Sequence, residues 1–175
     1  MSQDWFDARN WFPMQLPDDG VSVKIPMTSN APIIYKRGAQ CKSLTISKGS
    51  LTIENFTRPA DEPALYVNGS VDVQDGGVFA ISGNADVLVN GDWSIATKGN
   101  FVPQNGTVIF AADGGSVSIV PRKSDFNNVK FVGDATYMFM YSPINFNGDF
   151  IVEKGLVWSR MPRFRRRLRR SSLLV

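Results

Sequence analysis

The stretch Val87-Leu88-Val89-Asn90-Gly91-Asp92-Trp93-Ser94-Ile95 decides the fold. Apolar residues alternate with other residues at 87–89 and again at 93–95, which is the two-residue period of a β-strand. Gly91 separates the two segments, and glycine adopts the positive φ angles that a tight bend between strands requires. The stretch therefore predicts two short strands joined by a turn.

A three-residue phrase with apolar first and third positions recurs along the chain at a nearly constant step. Its seven members are Val23-Lys24-Ile25, Leu44-Thr45-Ile46, Leu65-Tyr66-Val67, Val87-Leu88-Val89, Val108-Ile109-Phe110, Val129-Lys130-Phe131 and Phe150-Ile151-Val152. Their first residues are 21, 21, 22, 21, 21 and 21 positions apart. A fixed period of this length marks a repeat architecture, in which stacked units share one continuous core.

Each repeat holds two or three short alternating segments, which is enough for one coil of a β-solenoid. The pattern predicts an all-β parallel β-solenoid of about seven coils, each of about 21 residues. An antiparallel β-sandwich also has short strands and frequent turns. A sandwich gives no reason for a constant step, so the period favours the solenoid.

Three segments follow from this period: residues 1–20, 21–158 and 159–175. We expect the first to cap the solenoid, because a terminal coil exposes apolar side chains and unpaired strand edges. Its aromatic residues Trp5, Phe6, Trp11 and Phe12 would provide that cap. The alternative is that Trp5 and Trp11 form an aromatic platform for a ligand such as a sugar.

Residues 159–175 form an irregular basic tail. Seven arginines lie between Arg160 and Arg170, whereas residues 1–159 hold 12 Lys and Arg against 16 Asp and Glu. One interpretation is a basic arm for nucleic acid or an anionic membrane. Its candidate contacts are Arg165, Arg166, Arg167, Arg169 and Arg170. The interpretation we favour is a lost reading frame near codon 158, which makes the chain a truncated fragment with a disordered tail.

The composition argues against the commonest catalytic chemistries. The chain has no histidine and one cysteine, Cys41, which removes histidine-based catalysis and any internal disulfide. The outward row predicted for the second strand of each coil contains one carboxylate, Asp72, and Asp86 and Asp92 flank the neighbouring strand as candidates to approach it. Cleavage of polysaccharides needs paired carboxyl groups. We therefore expect no enzymatic activity, no cofactor and no metal site.

The outward position of the last six phrases is unusually apolar. It reads Thr45, Tyr66, Leu88, Ile109, Lys130 and Ile151 in successive repeats. Contiguous apolar surface marks an interface or a covered face. Tyr66, Leu88, Ile109 and Ile151 are therefore a candidate interaction face, unless a loop such as 57–63 lies over them.

Several phrases resemble the start of large bacterial secreted or surface repeat proteins of the adhesin-like type. The similar segments are 5–11, 17–26, 32–34, 41–46, 49–53, 89–93, 105–110 and 125–131. The resemblance covers residues 5 to about 156 and implies a right-handed β-helix at the cell surface or outside the cell. It supplies no catalytic residues, and the chain lacks the basic start and apolar run of a signal peptide.

We therefore expect a non-enzymatic structural or adhesive β-solenoid module of a surface or extracellular protein. Its partners would be other solenoid chains or cell-surface polysaccharide, with nucleic acid or an anionic membrane as partners only if the tail is functional. No run of 18 apolar residues predicts a transmembrane helix. The alternative is a polysaccharide-binding or polysaccharide-cleaving β-helix, such as those of phage tail proteins.

Overall fold

The computed structural model describes residues 2–56, 62–140 and 144–159. Within these ranges it contains seventeen β-strands and one short 3-10 helix, Ala8–Asn10. No helix in this part of the chain is long and apolar enough to cross a membrane. The predicted tail beyond Ser159, with its arginines, and most of the predicted loop 57–63 lie outside the described residues.

The strands form three parallel sheets. Sheet 1 has seven strands: β1 Ser22–Ile25, β4 Ser43–Ile46, β7 Val71–Val73, β10 Trp93–Ile95, β13 Ser116–Val120, β15 Thr136–Phe139 and β17 Leu156–Ser159. Sheet 2 has four strands: β2 Ile33–Ile34, β5 Ser50–Phe56, β8 Val78–Gly83 and β11 Asn100–Val102. Sheet 3 has six strands: β3 Ala39–Cys41, β6 Leu65–Val67, β9 Asp86–Val89, β12 Thr107–Phe110, β14 Asn128–Phe131 and β16 Phe150–Val152.

The chain visits sheets 1, 2 and 3 in turn, so each circuit is one coil. In the later coils a single bridge between Phe126 and Phe146 takes the place of sheet 2. The result is a parallel β-solenoid of about six turns, with β17 opening the next. The all-β parallel solenoid is thus confirmed, with about six turns against the seven predicted. Its right-handed sense stays a prediction.

The periodic phrases do not form a single column, which corrects the simple interpretation of the period. The first two lie in sheet 1, where Leu44 pairs with Val71, and the other five lie in sheet 3. The coil from Leu44 to Val71 has 71 − 44 = 27 residues. Because that coil is longer than the period, the next phrase 21 residues on falls in a different sheet.

The five phrases of sheet 3 stack as predicted. Val67, Val89, Phe110 and Phe131 are consecutive partners in the register of the sheet. Leu65, Val87, Val108 and Val129 form the neighbouring column. All eight side chains are buried. Each coil therefore completes the core of the coils beside it, and this mutual burial stabilises the stack.

Close approach between coils explains a glycine in the turn after β14. A Cβ atom on Gly133 would overlap the backbone carbonyl of Ala112 in the preceding coil. Only a residue without a side chain lets the two turns lie this close. Neither Gly133 nor Gly91 has the positive φ expected of a tight bend, so these glycines serve the close stacking of turns.

Candidate binding face on sheet 3

The outward side chains of sheet 3 form one continuous row across six coils. Its members, in order of strand pairing, are Gln40, Tyr66, Leu88, Ile109, Lys130 and Ile151. The four predicted interaction residues therefore share one face, with Lys130 between Ile109 and Ile151. We name the six residues from Gln40 to Ile151 the outer row. Thr45, which was expected in the same row, pairs instead with Asp72 in sheet 1.

The outer row is partly exposed because side chains alternate along each strand. In β6, β9 and β12 the residues on either side of the outward position are buried, and the outward residue is half-buried. The apolar side chains of Leu88 and Ile109 are thus held on the surface by core residues that fix the register.

The outer face of sheet 1 gives a contrast within the same molecule. Its corresponding row begins with Lys24, Thr45, Asp72 and Ser94 and continues with Val120. The first four residues are polar, as a solvated sheet face normally is. In the coils that hold Tyr66, Leu88 and Ile109, sheet 3 therefore carries an apolar outer row where sheet 1 carries a polar one.

A shallow groove of about 210 Å³ lies at the N-terminal part of the outer row. It is lined by Asp19, Gln40, Tyr66, Val67, Asn68, Leu88 and Asn90. Asp19 comes from the segment that precedes β1, whereas the other residues belong to three consecutive coils. The groove thus combines an aromatic ring and a leucine with three amides and a carboxylate. We name it the Tyr66 groove.

Two asparagines form one side of the Tyr66 groove. Asn68 and Asn90 directly follow β6 and β9, and the Nδ2 atom of Asn90 donates to Oδ1 of Asn68 over 3.3 Å. The Oδ1 atom of Asn90 has no hydrogen-bond partner among the described residues. Sequence reasoning missed this pair, although the repeated Val-Asn-Gly at 67–69 and 89–91 was a signal for it.

An acidic residue, Glu62, acts on the phenol of Tyr66. Burial raises the pKa of the Tyr66 phenol, and the negative charge of Glu62 raises it further. The phenol is therefore a neutral hydrogen-bond donor over the physiological range of pH. Arg37 donates to the backbone carbonyl of Glu62 and ties this residue to the coil that precedes it.

A half-buried carboxyl, Asp86, lies at the start of β9 on the same outer face. Burial raises the pKa of Asp86, while a hydrogen bond with Thr107 and the charges of Arg37 and Lys130 act in the opposite direction. Lys130 also forms an ion pair with Glu153, with Nζ 2.9 Å from Oε1. Asp86 is thus surrounded by a hydroxyl and cations, which is not the paired-carboxyl arrangement of glycoside hydrolysis.

Of the three carboxyls considered for a cluster, Asp86 lies in a different sheet from Asp72 and from the strand β10 that Asp92 directly precedes. Asp72 lies in sheet 1 and accepts a hydrogen bond from Gln74, whereas Asp86 lies in sheet 3. Asp92 accepts a hydrogen bond from the backbone N–H of Ser118. Across the part of the chain that the structure describes, no group of three His, Cys, Asp or Glu could hold a metal ion.

The two N-terminal tryptophans lie at the end of the core. Trp5 is 1% exposed, and its ring meets that of Trp11 edge to face at 4.7 Å between centroids. The indole N–H of Trp11 donates to the backbone carbonyl of Trp5. Because the Trp5 ring is buried, it cannot stack on a ligand, which favours the cap over the platform. Phe12 is fully exposed and takes no part in this packing.

One protein-family model matches most of the chain. A family model described as Domain of unknown function (DUF8693) matches residues 1–150. The chain belongs to this family. The DUF8693 match includes the N-terminal segment, the Tyr66 groove and most of the outer row. No curated protein and no solved structure matches the chain.

Proposed function

We propose that the chain is a non-enzymatic structural or adhesive β-solenoid module of a surface or extracellular protein, with the outer face of sheet 3 as its contact surface. The observation that carries this proposal is the outer row, in which Tyr66, Leu88, Ile109 and Ile151 share one exposed face. The adhesin-like resemblance of the repeat phrases supports the same conclusion. Other solenoid chains or cell-surface polysaccharide are the proposed partners.

The outer row suits weak and repeated contacts. Covering the exposed part of each half-buried aliphatic side chain contributes on the order of 1 kcal/mol. One module would therefore bind its partner weakly, and many modules on one surface would bind it strongly through multivalency. Adhesive and structural proteins act in many copies, so weak contacts by single modules are enough for them.

The second candidate is a polysaccharide-binding or polysaccharide-cleaving β-helix. The Tyr66 groove favours the binding form. Cleavage would require a second carboxyl near Asp86, whereas the groups that act on Asp86 are Thr107, Arg37 and Lys130. Incubation with polysaccharides followed by an assay for new reducing or unsaturated ends tests for cleavage. We expect no new ends. Their appearance with this chain, and their loss in Asp86→Asn, would establish an enzyme instead.

The contact surface is tested by the paired change Leu88→Lys and Ile109→Lys. The matched control, Thr45→Lys with Ser94→Lys, adds the same charge to the outer face of sheet 1. Sedimentation velocity measures self-association, and protein-coated fluorescent beads measure adhesion to bacterial cells. We expect the sheet 3 variant to self-associate and adhere at least tenfold more weakly, with an unchanged melting temperature. The control should associate and adhere as the original chain does.

Two outcomes would contradict the proposal. If both variants associate and adhere as the original chain does, the outer row is ordinary surface. If the sheet 3 variant melts at a lower temperature with unchanged adhesion, the row is covered by another part of the same chain.

A further inference from the structure

We infer that the Tyr66 groove is a binding subsite for one ring of a neutral polysaccharide. The inference rests on the proposed function, because it names a ligand for the same face of sheet 3. It is carried by three properties of the groove that can be considered separately: its apolar floor, its polar rim and its charge.

The apolar floor is made by Tyr66 and Leu88, which are direct partners in neighbouring coils. Both side chains are half-buried and held by buried residues on either side. A sugar ring has one face of C–H groups, and such a face packs on an aromatic ring and an adjacent aliphatic side chain. The open volume of about 210 Å³ suits a single ring rather than a larger molecule.

The polar rim supplies hydrogen-bonding groups of both kinds. Gln40, Asn68 and Asn90 carry amides that donate and accept, and Asp19 carries a carboxylate that accepts. The hydrogen bond between Asn68 and Asn90 is long at 3.3 Å, and Oδ1 of Asn90 is buried without a partner among the described residues. The exposed side chains of Gln40, Asn68 and Asp19 are the ones open to a ligand. Hydroxyl groups, which both donate and accept, satisfy such a rim, whereas an apolar peptide would leave its amides without partners.

The charge of the groove selects against acidic ligands. None of its seven lining residues carries a positive charge, and Asp19 is negative. Glu62 adds a second negative charge near Tyr66. Among the seven lining residues, no cation is available to pair with phosphate, sulfate or uronic acid groups. The combination of an apolar floor, an amide rim and a lining without a cation therefore points to a neutral polyhydroxylated ring.

The position of the groove also gives the direction of a longer ligand. The outer row continues from Leu88 to Ile109 in the next coil, and strands within a sheet are about 4.8 Å apart. An extended glycan could follow this row along the solenoid axis, with further rings on Ile109. Lys130 would end the neutral part of such a path, because it introduces a charge that pairs with Glu153.

The test uses the full chain on a microarray of neutral and acidic oligosaccharides. The neutral probes are hexasaccharides of xylan, cellulose, starch, chitin and mannan, and the acidic probes are heparin, alginate and polygalacturonate fragments. Titration calorimetry then measures affinity for the probes that bind. The variants are Tyr66→Ala and Tyr66→Phe, and the control is Tyr35→Ala, which changes an exposed tyrosine outside the groove.

We expect binding to at least one neutral probe. Tyr66→Ala should weaken it at least tenfold, Tyr66→Phe should weaken it less, because the ring remains, and Tyr35→Ala should leave it unchanged. Binding to acidic probes alone, neutral binding that persists in Tyr66→Ala, or no neutral binding at all would each overturn the inference. If Leu88→Lys with Ile109→Lys still abolishes adhesion in any of these cases, the proposed function stands and only the ligand is wrong. If adhesion is also unaffected, both fail.

Discussion

At the scale of single residues, the pKa of Asp86, on the outer face of sheet 3, reflects both its burial and the charged groups near it. Its carboxyl is half-buried at the start of β9, and burial is the largest influence on its pKa. Thr107 and the cations Arg37 and Lys130 favour the charged form but do not fully offset this effect. The pKa of Asp86 is therefore raised above the unfolded value of 3.8.

The raised pKa of Asp86 predicts a particular dependence of stability on pH. The protonated carboxyl favours the folded state, and this contribution is fully present below pH 3.8 and lost as the pH rises through the folded pKa. Asp86→Asn is neutral at every pH and avoids that loss. We expect the stability of Asp86→Asn relative to the original chain to increase from about pH 3 upward and then level off.

Urea unfolding at a series of pH values measures this difference. Thr107→Val provides a matched variant, because it removes a hydrogen bond that lowers the pKa of Asp86. In that variant the loss of stability should extend to higher pH. A relative stability of Asp86→Asn that is constant, or that falls with pH, would show that burial does not dominate at this site.

At the scale of elements, the N-terminal segment extends the solenoid rather than lying loosely on it. The backbone N–H of Trp5 donates to the carbonyl of Ile33 over 2.9 Å, and Ile33 donates to Gln3 over 2.6 Å. These bonds satisfy the free edge of β2, which would otherwise be open to pairing with another chain. The buried Trp5 ring covers the core behind that edge.

Removing the Trp5 ring should therefore destabilise the whole stack. Trp5→Ala is expected to lower the free energy of unfolding by about 3–5 kcal/mol, the usual cost of deleting a buried aromatic side chain. Phe12→Ala is the control, since Phe12 is fully exposed and should change the free energy very little. Urea unfolding monitored by circular dichroism measures both. Equal stabilities for the two variants would mean that the segment is not a cap.

The elements that could be predicted from sequence are those whose information is local. Alternation within each phrase predicted the buried columns of sheet 3, because the alternation of side chains in a strand needs no knowledge of distant residues. Membership of a sheet depends instead on coil length. The extra residues between Leu44 and Val71 leave every strand pattern intact but shift the following phrase from sheet 1 to sheet 3. The period of the sequence alone does not reveal that the phrases change from sheet 1 to sheet 3.

The Tyr66 groove could be predicted only in part, for a related reason. The outer row followed from the phrases themselves, so Tyr66 and Leu88 were found. Asp19 precedes the repeats, and Gln40 lies in β3, whose sequence Ala39-Gln40-Cys41 does not match the aliphatic phrase. These residues meet only because parallel stacking places Gln40 against Tyr66. Non-local pairing of this kind carries little signal in a single sequence.

At the scale of the whole molecule, the composition of each outer face depends on which coils are neighbours. The structure pairs Tyr66 with Leu88 and Thr45 with Asp72, whereas the unbroken 21-residue period would place Thr45 beside Tyr66. The outer row, the Tyr66 groove and the contrast between the two faces all require the pairing in the structure. Paired cysteines distinguish the two arrangements, since a disulfide forms only where Cα atoms lie about 4.4–6.8 Å apart.

Disulfide formation in three double variants is the measurement that tests this pairing most directly. Each variant is oxidised mildly, and mass spectrometry of its peptides identifies the cross-link. The native Cys41 does not interfere, because burial raises its pKa to about 12 and keeps the thiol unreactive. Cross-links are expected in Tyr66→Cys with Leu88→Cys and in Thr45→Cys with Asp72→Cys, and none in Thr45→Cys with Tyr66→Cys. A cross-link in the last pair, together with none in the first, would contradict the register on which the binding face depends.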